Sequence, residues 1–294
     1  MASPNPQTWV YSNMGDKSSI VLNKLRERAI AATMGVKDDI GWFEWSADPA
    51  IKFDNSPEFW FGVAQANPSL GYTITQRNIE AVLSDPEDIV KTEILCIQVD
   101  TINPVVNPSL WENCRVEKLR LDPSVDTWLA IDLTPDRKQG ALVAAQRLEG
   151  DRFQVQLLQT WSNSITLDDK SIANDVADWV RKYPVQLVAY STRTASAVAA
   201  RLKPAGIQVE AIDGQEYAQA CDEFLGAISS QRLAHSGQDE FTKQALSAVK
   251  LPYGDGSWVM GRKISQAVIA AAVAGALATH FATRPETEID IVAV

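Results

Sequence analysis

The sequence predicts a mixed α/β fold, and three observations predict it. Three β-prone runs follow one another at 128–133, 141–147 and 153–160, and Gly150-Asp151 supplies hairpin turn chemistry between the last two. Two further apolar runs, at 187–190 and 207–212, are each preceded by a helix-like segment. The most apolar stretch, 267–282, is Ala-rich and shorter than the ~20 residues a membrane span requires, so it reads as a buried helix packed closely on a sheet.

In chain order, Thr8 to Asn13 is β-branched and aromatic and reads as a strand, followed by a turn at Met14-Gly15-Asp16. Ser18-Ser19 precedes a helix over 20–33, with Val21, Leu25 and Ala29 on one face. Trp42-Phe43-Glu44-Trp45 reads as a second strand. Helices follow at 58–64, at 76–84 behind a Thr75 cap, and at 88–99. Residues 101–124 are rich in Pro and Asn and read as a linker. From residue 126 the pattern changes to the three β runs. A helix capped by Ser171 comes next, then strand 187–190, helix 195–202 and strand 207–212. This βββαβαβ order is the layout of a ribonuclease H-like mixed sheet with flanking helices, although periodicity alone leaves other mixed α/β arrangements open. A strand so near the start, with no hairpin partner, reads as the end of a partial α/β domain. The expected division is 1–100, 101–124 and 125–294.

Composition bounds the function. The 294 residues are 46% hydrophobic and 22% charged, an ordinary globular balance, with a net charge of −10. A protein that gripped nucleic acid with its whole surface would be basic, so any DNA contact must come from a local patch or through bound cations. Cys96, Cys114 and Cys221 are too few and too scattered for a disulfide framework or a zinc site. No apolar signal-peptide core follows Met1.

An ordered series of segments resembles the large subunit of the DNA-packaging terminase of tailed bacteriophages. TWVYSNMGDKSSIVLN (8–23) is similar to the family's coupling segment, with Ser12 and Asn13 at the strand end. WFEWSADP, FWFGVAQANPSLGYTI and EDIVKTEIL resemble the region that joins ATPase and nuclease. WLAIDLTPDRKQGALVAA, AYSTRTASAVAARLKPAGIQVEAI, QEYAQACD and RLAHSGQDEF look like successive parts of the nuclease domain. The resemblance spans nearly the whole chain. It implies the end of a packaging ATPase domain followed by a ribonuclease H-like nuclease. It further implies activity as a metal-dependent endonuclease on concatemeric viral double-stranded DNA, in the host cell cytoplasm. The portal protein and the terminase small subunit are the implied partners, and no membrane is involved. No GxxxxGK[ST] loop is present, so no ATP site is expected in this chain. The expected origin is a fragment, a split gene or a truncated prophage product.

The resemblance also implies a pair of Mg²⁺ or Mn²⁺ ions held by acids on the first strand, at the end of the fourth strand and on the last helix. Asp132 fits the first position, because an acid inside an apolar strand is costly unless paired or metal-bound. Asp136, in the following turn, is a second candidate metal contact, against the plainer reading of a turn residue. The fourth strand ends in Tyr190-Ser191, so Ser191 stands where the second acid is expected, and serine is a poor Mg²⁺ ligand. Residues 263–282 contain no Asp or Glu. Asp213 reads as a turn residue beside Gly214, and Asp175 and Asp178 as solvated. Arg193, Arg262 and Lys263 are candidate DNA-backbone contacts, with Arg201 nearby, against the reading of a solvated basic turn. His235 reads as structural, and His280 as a cation at a helix end.

The expectation is a nuclease fold with impaired or lost cleavage. The alternative is a DNA-binding or assembly module, or a prophage relic, of the same fold. A transposase or junction resolvase of this fold is disfavoured, because the first hundred residues resemble the terminase.

Overall fold

The structure is a computed structural model that describes residues 6–17, 19–99, 103–265 and 267–284. The chain divides into two compact units, 1–103 and 104–294.

The first unit is helical among the described residues. It contains α1 (Ile20–Thr33), α2 (Pro57–Ala66), α3 (Gln76–Val82) and α4 (Glu87–Glu93). Ser56 caps α2 by accepting from the Phe59 amide, with Pro57 at the first helical position, where a missing N–H costs nothing. Thr75 and Asn78 form a reciprocal capping box on α3. Phe59, Val63, Ile79, Leu95 and Ile97 make a small core.

Three expectations fail in this unit. Residues 8–13 and 42–45 are not strands. Trp9 stacks on Tyr11 and Phe43 on Trp45, but these side chains stay exposed, Tyr11 at 85%. β-propensity without a neighbouring strand leaves backbone groups to water and forms no ladder. The helix expected over 88–99 ends at Glu93, and Cys96 takes a positive φ of 51° as Leu95 and Ile97 turn inward.

Residues 104–124 belong to the second unit rather than to a free linker. They carry α5 (Pro108–Asn113), which begins with Asn107 as side-chain cap and Pro108 at the first position. Pro and Asn here punctuate a helix rather than a disordered tract. Trp111 is 1% exposed and stacks on His235 at 4.0 Å, with Phe241 edge-on at 5.4 Å. Buried glutamines dock residues 119–122. Gln146 Nε2 donates to the Asp122 carbonyl at 2.7 Å, and Gln154 and Gln156 donate to the carbonyls of Arg120 and Leu119 at 3.1 Å each.

The centre of the unit is a six-stranded sheet in the order β5-β4-β1-β2-β3-β6. Its strands are β1 (Thr127–Leu133), β2 (Gln139–Leu148), β3 (Arg152–Ser162), β4 (Val185–Tyr190), β5 (Val209–Ala211) and β6 (Leu233–His235). β1 pairs antiparallel with β2 and parallel with β4, and β5 and β6 are parallel to their neighbours. The βββαβαβ expectation therefore holds. The helix before β4, α6 (Asp169–Val180), is capped by Asp168 rather than Ser171.

Period-2 alternation sends the two sets of β1 side chains to opposite cores. Leu129, Ile131 and Leu133 pack with α6 and α7 (Thr192–Leu202). Ala130 packs with the layer of α8 (Gly214–Ser229) and α10 (Ala270–Ala282). α10 is buried throughout, and its small side chains let it lie across β1 and β2. A Cβ added at Gly275 would stand 3.1 Å from Phe241 Cζ, so the helix could not approach as closely with a larger residue there. α9 (Asp239–Ser247) and a hairpin of β7 (Lys250–Tyr253) and β8 (Ser257–Met260) precede α10. Gly254 and Gly256, both at positive φ, turn that hairpin. Among the described residues no helix is long and apolar enough to cross a membrane.

Candidate functional site

The site lies at the C-terminal end of β1. Asp132 is 0% exposed, in the strand that β2 and β4 flank. A buried carboxylate needs charge and hydrogen-bond partners, and it has both. Arg262, just past β8, donates from Nη2 to Oδ1 at 2.7 Å and from Nε to Oδ2 at 3.0 Å. Thr194 on α7 donates its hydroxyl to Oδ1 at 2.9 Å. The two-pronged guanidinium geometry is the strongest class of carboxylate pair.

Arg262 is held as firmly as it holds. Its side chain is 15% exposed and lies over the Tyr217 ring at 5.1 Å. The Tyr217 hydroxyl donates to the Met260 carbonyl at 3.2 Å. Burial acts to lower the guanidinium's affinity for its proton, but the charge and hydrogen bonds of Asp132 outweigh it, and the net shift is upward. Burial also drives Tyr217 well above its ordinary value and pushes the Cys221 thiol up to about 11, so both stay neutral near pH 7.

Ser191 follows Tyr190, which pairs with Ile131, so it comes one residue after the last pair of the β1–β4 register, at the N-cap of α7. Its hydroxyl donates to Asp213 Oδ1 at 2.8 Å. Asp213 Oδ2 accepts from the Thr192 amide at 3.1 Å and from the Thr192 hydroxyl. Asp213 is thus a strut for the N-terminus of α7, where free amides favour an anion. Asp175 is not simply solvated. It accepts from Gln159 Nε2 and Trp161 Nε1 at 2.8 and 2.7 Å.

Asp136 is exposed, accepts from the Thr134 hydroxyl at 2.6 Å and from the Lys138 amide at 3.2 Å, and its pKa is lowered chiefly by the Thr134 bond. It shares with Asp132 an open cavity of about 580 Å³ whose lining includes Thr134, Arg262, Lys263 and Ser265. Lys263 is exposed at this cleft, and Arg193 is exposed on α7. A cavity of about 1080 Å³ in the first unit is lined by residues of 46–65 and holds none of the candidate residues. In that unit Ser12 donates to the Asn13 carbonyl, and Asn13 donates to Glu93.

His235 is structural. Nε2 lies 2.8 Å from the Trp111 carbonyl, and Nδ1 accepts from the Gly237 amide at 3.0 Å. His280 lies inside the last turn of α10, with Nδ1 2.7 Å from Glu223 Oε2.

The structure therefore brings Asp132, Asp136, Arg262 and Lys263 to one cleft, while Ser191 bonds to Asp213 and Arg193 is exposed on α7. Sequence reasoning missed Thr194, and it named Arg262 without its partner. Asp132 and Arg262 are 130 positions apart, and no local pattern joins them.

The residues do not fit a divalent-metal centre. Among the described residues no group of three or more His, Cys, Asp or Glu could hold a metal ion. α10 has no acid, and of the stretch 263–282, where the third acid is expected, Gln266 lies outside the described residues.

No protein-family model and no curated protein matches the chain. Solved structures do. The large terminase of bacteriophage HK97 matches with a TM-score of 0.54 at 14% identity, over 88% of this chain and 60% of that one. The large terminase nuclease of thermophilic phage G20c matches at 12% identity and a TM-score of 0.48, over 60% of this chain and 97% of that one. A G20c nuclease structure with bound magnesium gives 13% identity and a TM-score of 0.47. This chain thus spans 60% of the length of the HK97 protein, and over that span it has the fold of that large terminase.

Proposed function

We propose that this chain is a part of a phage DNA-packaging terminase large subunit whose nuclease-like domain no longer cuts DNA. The observation that carries the proposal is the pairing of Asp132 with Arg262. A two-metal nuclease needs several carboxylates free to face its ions. Here Asp132 gives both oxygens to a guanidinium, the end of β4 carries Ser191 rather than an acid, and α10 supplies no acid.

In this reading residues 1–100 correspond to the end of a packaging ATPase domain and 125–294 to the nuclease-like domain, into whose unit residues 104–124 are packed. The chain has no phosphate-binding loop and does not hydrolyse ATP alone, so Ser12 and Asn13 act as a coupling element only beside a nucleotide site supplied elsewhere. What remains is a module for binding and assembly. Exposed Arg193 and Lys263 contact the backbone of double-stranded DNA, and the net charge of −10 keeps that contact local and salt-sensitive. Portal protein and terminase small subunit are the partners, in the host cytoplasm.

Plasmid cleavage in Mg²⁺ or Mn²⁺ tests the proposal, with Asp132→Ala as control. The expected result is no metal-dependent nicking by either protein. Metal-dependent cutting that Asp132→Ala abolishes would replace this reading with an active endonuclease.

A further inference from the structure

We infer that Arg262 is a resident cation that keeps divalent ions away from Asp132, so that an acid restored at position 191 does not by itself rebuild a metal site. The inference deepens the reading of a non-cutting domain and rests on it for the choice of position 191.

The lone pairs of Asp132 are nearly spent. Oδ1 accepts from Arg262 Nη2 and from the Thr194 hydroxyl, and Oδ2 accepts from Arg262 Nε. A carboxylate offers about four such positions and three are taken, so a cation at the fourth, on Oδ2, would stand against the like charge of the guanidinium unless it displaced it. Displacement is opposed twice. The guanidinium cannot lose its proton, and it would have to leave the Tyr217 ring while staying in the same cleft as a like charge. Lys263 lines the same cleft and adds a second positive charge.

The neighbouring acids are already engaged: Asp213 with Ser191 and Thr192 through both oxygens, and Asp136 through Oδ1 with the Thr134 hydroxyl and the Lys138 amide. A carboxylate placed at position 191, one residue past the Ile131–Tyr190 pair and against Asp213, would meet an Asp132 that Arg262 already neutralises. In this cleft a covalently tethered cation stands on the carboxylate that a mobile cation would need. The absence of an acid at position 191 and the presence of the arginine are separate barriers.

The test is Mn²⁺ binding by calorimetry and electron paramagnetic resonance, on the full chain without DNA. The proteins are wild type, Ser191→Asp, Arg262→Gln and Ser191→Asp/Arg262→Gln, each with an Asp132→Asn companion. The expected result is that only the double variant gains Mn²⁺ affinity, by at least about tenfold, and loses it again with Asp132→Asn. Binding by Ser191→Asp alone, equal to that of the double variant and dependent on Asp132, would overturn the inference. A folded double variant with no gain would overturn it too. If circular dichroism shows the Arg262 variants unfolded, Ser191→Asp decides: Asp132-dependent binding refutes the inference, and its absence supports it. Because metal binding is read without DNA or cleavage, the inference can fail while wild type still cuts nothing.

Discussion

Arg262 and Asp132 form a two-pronged ion pair that ties the loop after β8 to the middle of the sheet, with N···O distances of 2.7 and 3.0 Å. Removing one partner of a buried pair strands the other charge. Arg262→Met should therefore cost about 3–5 kcal/mol, read by urea denaturation. The double variant Arg262→Met/Asp132→Leu should recover most of that loss. A single variant as stable as wild type would mean that the pair is not formed.

Asp213 serves the N-terminus of α7 across a crossover, accepting from Ser191 Oγ and the Thr192 amide. Asp213→Ala should lose about 1–2 kcal/mol, the usual scale for a helix N-cap, with the sheet intact by circular dichroism. If Asp213 were a simple solvated turn residue, the substitution would be neutral.

Trp111 separates a linker from a core element. It is 1% exposed and packs on His235, Phe224 and Phe241. Trp111→Ala should cost about 3–5 kcal/mol, measured as a shifted urea midpoint. A residue in a free linker would change stability by less than about 0.5 kcal/mol.

The pH dependence of stability should carry a signature of His235. Burial lowers its pKa, against the opposing bond to the Trp111 carbonyl. The unfolded chain then takes up a proton at higher pH than the folded protein does. Its contribution is complete above about pH 6.5 and is lost as pH falls toward the lowered folded value. Urea midpoints between pH 7.5 and 5 should fall more steeply for wild type than for His235→Gln. Equal slopes would contradict the assignment.

Much of the sheet was legible because its strands announce themselves locally. Residues 187–190 form a continuous apolar run, and Gly150 allows the positive φ that the β2–β3 turn adopts. Asp132 stood out as an acid in a buried run, which has a physical cost that demands a partner. Which partner it has was not legible, because the pair spans 130 residues and only the completed fold brings them together. The same logic explains the failures. Residues 8–13 and 42–45 have strand composition, yet a strand exists only beside another strand. Asn107-Pro108 has loop composition, yet that dipeptide is also the start of a helix, and Trp111 three positions later decides which.

The central claim is that the carboxylate of Asp132 is satisfied by a guanidinium and not by metal. The most direct test is a crystal of the wild-type chain grown with Mn²⁺ and measured for anomalous scattering. The account predicts no anomalous peak at Asp132, with both nitrogens of Arg262 still on its oxygens. A manganese peak within coordination distance of Asp132, with Arg262 swung away, would contradict it.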